Sequence, residues 1–247
     1  MTVLVLIPTY NEKPNISLLI ERLLVYSHVR IMVIDDNSPD GTAACIFPFM
    51  GTGRVKVINR SKKAGRISAV RYGLDIALSV AEPSGVVVEM DADLSHDPTE
   101  LQRLLHASQN WDVVIGSRYK SESRLLGWPK ARLYFSRTAN WVARRLLRLP
   151  FSDLTSSFRC YSFAAATYLS SLDLKSRGFI GSCDILFRLY YAGFSIGEVP
   201  ITFANRHRGS SKLSAAELAE SLLVITRLGF RGTRTPYSTS ARSGGKL

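Results

Sequence analysis

Two aspartates separated by one alanine follow a mostly apolar run in the first half of the chain. Asp91, Ala92 and Asp93 come directly after Val86–Met90, a run typical of a buried parallel strand. Ligands of open α/β sheets bind just beyond the carboxyl ends of the strands. Two carboxylates there can hold a hard divalent cation against a diphosphate. Aspartate is also common in turns, so the pair alone leaves a metal site and a simple turn open.

Polar clusters also follow three other predicted strands, and parallel strands would bring all four clusters to one edge of a sheet. The other three clusters are Pro8–Glu12, Asp35–Thr42 and Gly116–Tyr119. A nucleotide across this edge would meet the ring of Tyr10, while Glu12 or Asp36 would accept hydrogen bonds from its base or ribose. Arg118 would pair with phosphate oxygens in bidentate fashion. The ordered recurrence of such clusters favours a binding site over four unrelated turns.

Predicted strands and helices, which would carry these clusters, alternate along the first half of the chain. Predicted strands are Val3–Ile7, Arg30–Ile34, Val55–Asn59, Val86–Met90 and Val113–Ile115. Helical spacing runs through Ile16–Tyr26, Ile67–Ser79 and Thr99–Ser108, and Asp97 with Pro98 begins the last of these. This βαβ series predicts one α/β domain with a mostly parallel, doubly wound sheet flanked by helices.

The pattern changes after Arg118. The predictions there are a long helix over Arg132–Leu149, an extended segment over Asp153–Tyr161, a helix over Ser182–Tyr191, a strand over Ser195–Phe203 and a last helix over Ser214–Leu228. A basic loop from Arg206 to Lys212 precedes the last helix. Residues 229–247 are rich in Gly, Ser, Thr and Arg and predict a flexible basic tail. The folded domain is therefore expected over residues 1–228.

The formal net charge of +12 is concentrated in one segment. Between Arg118 and Arg148, nine lysines and arginines accompany a single acid, Glu122. Such a patch attracts nucleic acid, anionic lipid or phosphorylated substrates. Residues 118–150 are predicted to form a basic amphipathic surface that faces a membrane, with Leu125, Leu126 and Trp128 among the apolar contacts. Ordinary core packing of those apolar residues is the alternative.

Other features of the sequence concern the compartment. Met1 leads directly into an apolar strand with no basic region before it, so no signal peptide is predicted. No stretch approaches the ~20 apolar residues of a membrane span, and we expect no transmembrane helix. Three scattered cysteines, Cys45, Cys160 and Cys183, favour a reduced cytoplasmic environment over a disulfide framework.

Six segments, taken in order, resemble glycosyltransferase family 2, and within it the dolichol- and polyprenol-phosphate mannosyltransferases. They are Pro8–Glu12, Asp35–Thr42, Met90–His96, Gly116–Tyr119, Asp153–Arg159 and Arg206–Lys212. The resemblance runs from about Val3 to Lys212. It implies a single GT-A-type nucleotide-sugar-binding domain with a Rossmann-like sheet. It also implies inverting transfer of mannose from GDP-mannose to a polyprenyl (dolichyl) monophosphate.

Matching by motif assigns the expected site residues. The nucleotide would be held by Pro8, Tyr10, Glu12, Ile34 and Asp36. Donor and metal would be contacted by Asp91, Ala92 and Asp93, with the two aspartates as ligands of Mg²⁺ or Mn²⁺. Donor phosphates would be bound by Arg118, Arg206 and Lys212, and the acceptor phosphate by Arg118, Arg132 and Ser136. The expected catalytic residues are Asp93 and Arg118.

Two segments depart from the family pattern. The segment Lys62–Ala69, after the third strand, carries less glycine than the family usually has there. Ser157 stands where glycine is usual, directly before Phe158 and Arg159. Both departures bear on sugar or acceptor preference more than on the type of reaction.

A phosphate acceptor simplifies the chemistry. Its second pKa is ~6, so a lipid monophosphate is largely ionised at neutral pH and can attack the anomeric carbon without a protein base. This agrees with the four histidines, none of which lies in an obvious catalytic motif. They are interpreted as surface or supporting residues, namely His28, His96, His106 and His207.

Alternatives from the sequence remain open. The same fold could transfer another hexose, such as glucose, or use a different acceptor. A basic nucleic-acid or membrane-binding protein without activity is disfavoured by the intact pairs Asp91/Asp93 and Arg206/Lys212, and nucleic acid is not expected as a partner. The enzyme would be peripheral on the cytoplasmic face of a membrane, recruited either by its own surface or by a separate membrane-anchoring subunit.

Overall fold

The computed structural model describes residues 2–80, 83–174, 176 and 178–205. Strands in this part of the chain are β1 (Val3–Thr9), β2 (Val29–Asp35), β3 (Val55–Asn59), β4 (Val86–Glu89), β5 (Val113–Ser117), β6 (Arg124–Leu126), β7 (Arg159–Ser162), β8 (Ile196–Pro200) and β9 (Thr202–Ala204). The α-helices are α1 (Lys13–Leu24), α2 (Phe47–Met50), α3 (Arg66–Val80), α4 (Leu101–Ala107), α5 (Lys130–Leu147), α6 (Phe163–Ser171) and α7 (Gly178–Tyr191). Short 3₁₀ turns span Ala43–Ile46 and Pro98–Glu100.

The main sheet confirms the predicted α/β fold. Its seven strands lie in the order β3-β2-β1-β4-β7-β5-β8, and a separate pair joins β6 to β9. All neighbours in the main sheet are parallel except β7, which runs antiparallel to both β4 and β5. The strands β1, β2, β4 and β5 therefore end at the same edge of the sheet, as the sequence predicted.

The helices form where an apolar stripe can cover the sheet. In α1, Ile16, Leu19, Ile20 and Leu23 are fully buried at the spacing of one helical face. Pro14 lies in its first turn, so the helix begins before the predicted start. The carboxylate of Asp97 accepts a hydrogen bond from the Thr99 backbone N–H at 2.9 Å, which confirms the predicted cap.

Two hydrophobic clusters cover the two faces of the sheet. One joins the inner faces of α3, α6 and α7, and the other packs α1 and α4 on the opposite face. The helix α3 approaches the sheet closely at Gly73, because a Cβ atom there would lie 2.4 Å from Leu6 Cδ1. Both faces of the parallel strands are therefore apolar, which explains their nearly continuous hydrophobic sequences.

The strand β7 occupies a place that the sequence indicated only as extended. It pairs Arg159 with Glu89 on one side and with Ile115 on the other. Because β7 is antiparallel, it begins at the edge where β4 and β5 end. The loop before it, residues 150–158, therefore lies among the polar clusters at that edge.

The predicted strand Ser195–Phe203 divides in two. The first part, β8, pairs with β5 in the main sheet, while β9 pairs with β6 beside it. Between them, the Ile201 backbone N–H donates to the Ser117 carbonyl at 3.1 Å. The Thr202 N–H then donates to a carboxylate oxygen of Glu100 at 2.9 Å. The chain leaves the main sheet after Ile201, and β9 pairs with β6 instead.

Candidate active site

The loops after β1 and β2 are joined by side-chain hydrogen bonds. Backbone N–H groups of Asn11 and Glu12 donate to the hydroxyls of Ser38 and Thr42 at 3.0 and 2.9 Å. The Lys13 N–H donates to Asp40 at 3.1 Å. The second loop therefore sets the position of the first, and both lie at the carboxyl edge.

The backbone is strained in three loops of this edge, those after β1, β2 and β4. Among the described residues, four positions other than glycine have a positive φ, and three of them lie in the loops of this edge. Asn11 and Asn37 tolerate this conformation, but Leu94 at φ 60° is unusual because its side chain clashes there. Such strain persists where tertiary contacts determine the backbone, and it is frequent at functional sites.

The two aspartates after β4 have different surroundings. Asp91 is the more open, with 28% of its side chain exposed. Its Oδ1 receives Nε of Arg66 at 3.0 Å, and its Oδ2 receives the hydroxyl of Ser157 at 2.6 Å. Asp93 is buried, and its Oδ1 accepts from the N–H and the hydroxyl of Ser95 at 3.1 and 2.5 Å. Ala92 between them is buried.

The charge of Asp91 is compensated inside the protein. Burial alone would raise the pKa of Asp91, but the Arg66 guanidinium and the hydrogen bond from Ser157 outweigh this effect and hold the pKa well below its usual range. His96 is buried against Phe158, and its Nδ1 accepts from the Asp91 backbone N–H at 3.3 Å. Burial lowers the pKa of His96, so the imidazole supports the loop as a neutral acceptor.

Arg66 is a site residue that the sequence analysis missed. Its guanidinium bridges Asp91 to Glu89, a buried carboxylate at the end of β4. The other oxygen of Glu89 accepts from the hydroxyl of Tyr161 at 2.8 Å. The available signal was a basic residue directly after Gly65 at the start of a helix, inside the segment that departs from the family pattern.

The donor set at Asp91 and Asp93 fits a hard cation that arrives with a ligand. Mg²⁺ and Mn²⁺ prefer oxygen donors of this kind. No cluster of three or more His, Cys, Asp or Glu side chains able to hold a metal occurs in the described part of the chain. A Mg²⁺-type cation usually takes one or two carboxylates and completes its shell with substrate phosphates and water. The pair fits such a shared site.

Arg118 is held by a buried carboxylate. Asp153 is fully buried, and it receives Nε and Nη2 of Arg118, both at 2.8 Å, together with the Arg118 backbone N–H at 3.0 Å. The Nη2 group also donates to the hydroxyl of Thr155. Burial alone would raise the pKa of Asp153, but the Arg118 guanidinium holds it below its usual range. These side-chain contacts use Nε and Nη2, and Nη1 is not part of them.

The three residues expected at the acceptor phosphate lie in one neighbourhood. The guanidinium carbons of Arg118 and Arg132 are 5.8 and 4.1 Å from the ring centroid of Trp128. The Ser136 hydroxyl is 2.6 Å from the hydroxyl of Tyr119, the residue that follows Arg118. Arg132 also donates to Asn205 at 2.9 Å. Arg118 follows β5 and Arg132 lies at the start of α5, and both approach Trp128, which lies between β6 and α5.

The residues expected at the nucleotide differ in how deeply they are buried. Pro8, Tyr10 and Glu12 are half-buried at the edge, and Lys63 places its ammonium 3.7 Å from the Tyr10 ring centroid. Asp36 is buried, and its oxygens receive Arg60 at 2.6 Å and the N–H groups of Ala64 and Gly65. It therefore organises the loop before α3.

Ile34 is the expected nucleotide residue that lies deepest. Its side chain is fully buried in the cluster below α3, beside the close approach at Gly73. Only its backbone is left to serve a ligand, and the Ile34 carbonyl is 3.4 Å from the Thr9 hydroxyl.

The basic segment splits into an inner and an outer part. Leu125 and Trp128 are half-buried against the core, which favours the packing alternative for these two residues. On α5, the side chains of Tyr134 and Trp141 are 76% and 57% exposed. Their spacing places them on one helical face together with Arg137 and Arg145, and we call these four residues the α5 outer face.

Some expected features fall outside the described residues. They are Arg206, Lys212, the last helix over 214–228 and the tail over 229–247. Within the described ranges, no helix has the length and apolar character needed to cross a bilayer.

Comparison with known proteins gives one matching family. The profile of glycosyl transferase family 2 matches residues 4–169. Polyprenol monophosphomannose synthase from Mycolicibacterium smegmatis is 40% identical over 233 residues, which span 93% of this chain and 87% of that protein. Undecaprenyl-phosphate mannosyltransferase from Micrococcus luteus is 37% identical over 238 residues, which span 93% of this chain and 94% of that protein.

A solved structure has a similar fold. It is a mannosyltransferase from Pyrobaculum calidifontis in complex with GDP-Man and Mn²⁺, with a TM-score of 0.61 and 18% identity. The similarity covers 95% of this chain and 65% of that chain.

The Arg118–Asp153 pair generates a prediction about stability. Asp153→Asn keeps the shape but leaves the buried guanidinium without its counter-ion, which costs ~3 kcal/mol of the free energy of unfolding at pH 7. The folded-state pKa of Asp153 is lowered, so its contribution is present above the unfolded pKa of ~3.9 and is lost as the pH falls through the folded value. Urea unfolding at pH 7 and at pH 3 should show a smaller difference at pH 3.

The matched control is Asp75→Asn, which changes an exposed aspartate on α3. It should leave the unfolding midpoint near that of the wild type at both pH values. An Asp153→Asn protein as stable as the wild type at pH 7 would contradict the assigned role of the pair.

Proposed function

The chain belongs to glycosyl transferase family 2, and from that premise we propose that it moves mannose from GDP-mannose to a polyprenyl monophosphate. The observation that carries the proposal is the identity of 40% and 37%, over 93% of the chain in each case, to two proteins named for this type of synthesis. Family membership makes the chain a glycosyltransferase and disfavours the non-catalytic alternative. The product would be polyprenyl-phosphate mannose.

The arrangement of the carboxyl edge supports a sugar-nucleotide donor. Tyr10 and Glu12 lie after β1, while Asp91 and Asp93 lie after β4, the neighbour of β1 in the sheet. A donor across these ends would place its nucleotide near Tyr10 and its diphosphate near the aspartates. The similar archaeal structure contains GDP-Man and Mn²⁺, which supports GDP-mannose as the donor and Mg²⁺ or Mn²⁺ as the cofactor here.

The aspartates and arginines would act on the leaving group. A divalent cation held by Asp93, with Asp91 beside it, would supply charge neutralisation for the departing nucleoside diphosphate. Arg118 would donate from Nη1 to a phosphate oxygen, since Asp153 holds the other side of its guanidinium. Arg206 and Lys212, which lie outside the described residues, would complete the contacts to the donor phosphates.

The acceptor would act as its own nucleophile. An oxygen of the lipid monophosphate forms a bond to the anomeric carbon of mannose, and the bond from that carbon to the diphosphate oxygen breaks with inversion. The nucleoside diphosphate leaves with the electron pair, so no proton has to be removed by the protein. His96 is buried against Phe158, and its Nδ1 accepts from the Asp91 backbone N–H, which agrees with a supporting role.

The acceptor phosphate would sit between Arg118 and Arg132. Both guanidinium groups lie near the Trp128 ring, and Ser136 joins this neighbourhood through Tyr119. Two cations and a hydroxyl suit a phosphate that carries up to two charges. Because β4 and β5 end at the same edge of the sheet, the acceptor would lie on the same side as the donor held by Asp91 and Asp93.

The α5 outer face would lie on a membrane that contains the lipid acceptor. It combines exposed aromatic rings with arginines, a composition that suits an anionic interface. The helix contains no acid over Lys130–Leu147. The enzyme would be peripheral on the cytoplasmic face, where its free Cys45, Cys160 and Cys183 are compatible with a reduced environment.

The proposed donor can be tested directly. Transfer to a short polyprenyl phosphate should occur with GDP-mannose and Mg²⁺ or Mn²⁺, and should be lost when the metal is chelated. GDP-glucose, UDP-glucose and UDP-N-acetylglucosamine serve as the comparison donors. Product from one of these instead of GDP-mannose would contradict the donor assignment, and no product from any donor would contradict the reaction.

The metal assignment predicts the effect of Asp93→Ala. Loss of this carboxylate should lower kcat by ~10²–10³-fold, because such preorganised charge contacts act on the leaving group. The folded state should persist, as judged by circular dichroism and thermal unfolding. Asp97→Ala is the control. Asp97 caps the next turn, so this substitution should lower only the stability that the cap contributes and should leave kcat unchanged. A folded Asp93→Ala enzyme with wild-type turnover would exclude the assignment.

The membrane contact predicts weaker binding when the α5 outer face loses its rings. The double variant Tyr134→Ser/Trp141→Ser should bind vesicles of anionic lipid about tenfold more weakly or worse, because two exposed rings no longer enter the interface. Trp111→Ser, which removes a ring 44% exposed elsewhere on the surface, is the control. Equal vesicle binding by all three proteins would assign recruitment to a separate membrane subunit.

A further inference from the structure

Asp91 is held from both sides by residues of separate elements. Arg66 begins α3 and donates from Nε to Oδ1 of Asp91 at 3.0 Å. Ser157 lies in the loop before β7 and donates its hydroxyl to Oδ2 at 2.6 Å. We call these two residues the Asp91 clamp. Because Arg66 and Ser157 bond different oxygens, they fix the orientation of the carboxylate plane. The contact with Arg66 also compensates the carboxylate charge.

The clamp leaves acceptor capacity on the open side of Asp91. Each carboxylate oxygen has two lone pairs, and Arg66 and Ser157 occupy one of each. The Asp91 side chain is 28% exposed, while Asp93 as a residue is only 5% exposed. The Asp91 carboxylate thus presents fixed lone pairs to the site, where the hydroxyl groups of a sugar nucleotide are natural donors.

Further contacts hold the Arg66 side chain of the clamp in place. Arg66 also donates to Glu89, whose side chain is almost completely buried and receives the Tyr161 hydroxyl. Its third nitrogen group, Nη1, is 3.4 Å from the Ser182 hydroxyl on α7. The guanidinium is therefore fixed by α7 and β4 at once. A guanidinium can bridge two carboxylates in this way, whereas a lysine ammonium is a single point charge.

We propose that Arg66 and Ser157 are positioning residues for donor binding, which fix the Asp91 carboxylate so that it receives hydroxyl groups of the sugar nucleotide. This rests on the proposed function, in which a sugar nucleotide lies at this edge. A carboxylate that is already oriented loses little conformational freedom when the donor binds. Without the clamp, the side chain can rotate, and part of the binding free energy is spent on fixing it.

The test uses two conservative variants and direct donor binding. Ser157→Ala removes one hydroxyl, and Arg66→Lys keeps the positive charge beside Glu89 but loses the bridging geometry. Each should raise the Kd for GDP-mannose, measured calorimetrically without acceptor, by about tenfold. The KM for the donor should rise in parallel, with the KM for polyprenyl phosphate unchanged. A merely structural role would instead alter both substrates' KM or neither.

The matched control is Ser156→Ala. Ser156 is the neighbouring buried serine, and its hydroxyl donates to the Gly116 carbonyl at 2.6 Å and not to Asp91. It should lose stability comparably to Ser157→Ala, as judged by thermal unfolding, but keep the wild-type Kd for the donor. Folded Ser157→Ala and Arg66→Lys proteins with wild-type Kd would overturn the proposal.

The double variant Arg66→Lys/Ser157→Ala adds a second criterion. Because both residues act on the same carboxylate, their effects on the Kd should be less than multiplicative. Independent, multiplicative effects would contradict a shared action through Asp91. If the donor comparison replaces GDP-mannose by another sugar nucleotide, the same variants are measured with that donor. An error in the donor assignment is thereby distinguished from an error in the positioning role of Arg66 and Ser157.

Discussion

Pairs of opposite charges, largely removed from water, fix the carboxyl edge of this sheet. Asp153 holds Arg118, Asp36 holds Arg60, and Arg66 joins two carboxylates, one at the end of β4 and one just after it. A buried charge without a partner is very costly, whereas a paired and hydrogen-bonded one is tolerated. Each pair therefore restricts the loop that carries it to one arrangement. The strained backbone at Leu94 can persist because its surroundings are determined in this way.

The same pairing sets the electrostatics that a sugar nucleotide would meet. Arg118 offers one side of its guanidinium while Asp153 occupies the other. Asp91 keeps lone pairs while Arg66 compensates its charge. The edge therefore presents oriented hydrogen-bond donors and acceptors, and these charged groups are paired with one another. Oriented groups need no rearrangement when charge develops on a leaving group, which is the main source of electrostatic catalysis.

The direction of one strand brings these partners together. Because β7 runs against β4 and β5, the loop before it reaches the edge at which those strands end. Asp153 and Ser157 both belong to this loop, and they contact Arg118 and Asp91. A parallel strand in this place would have carried the loop to the opposite edge. The departure from an all-parallel sheet is therefore what completes the site.

The amino-acid sequence was enough to predict the parallel strands and the polar clusters that follow four of them. A strand buried on both faces has a local run of apolar residues, and its end is marked by local polar residues. The sequence also indicated Asp91, Asp93 and Arg118 as residues of one edge. The contacts that Arg66, Asp153 and Ser157 make are visible only in the folded structure. Their partners lie far away in the chain, and no local periodicity records which distant charge a buried side chain will meet. The antiparallel insertion of β7 was undecided for the same reason, since an extended segment does not reveal its neighbours.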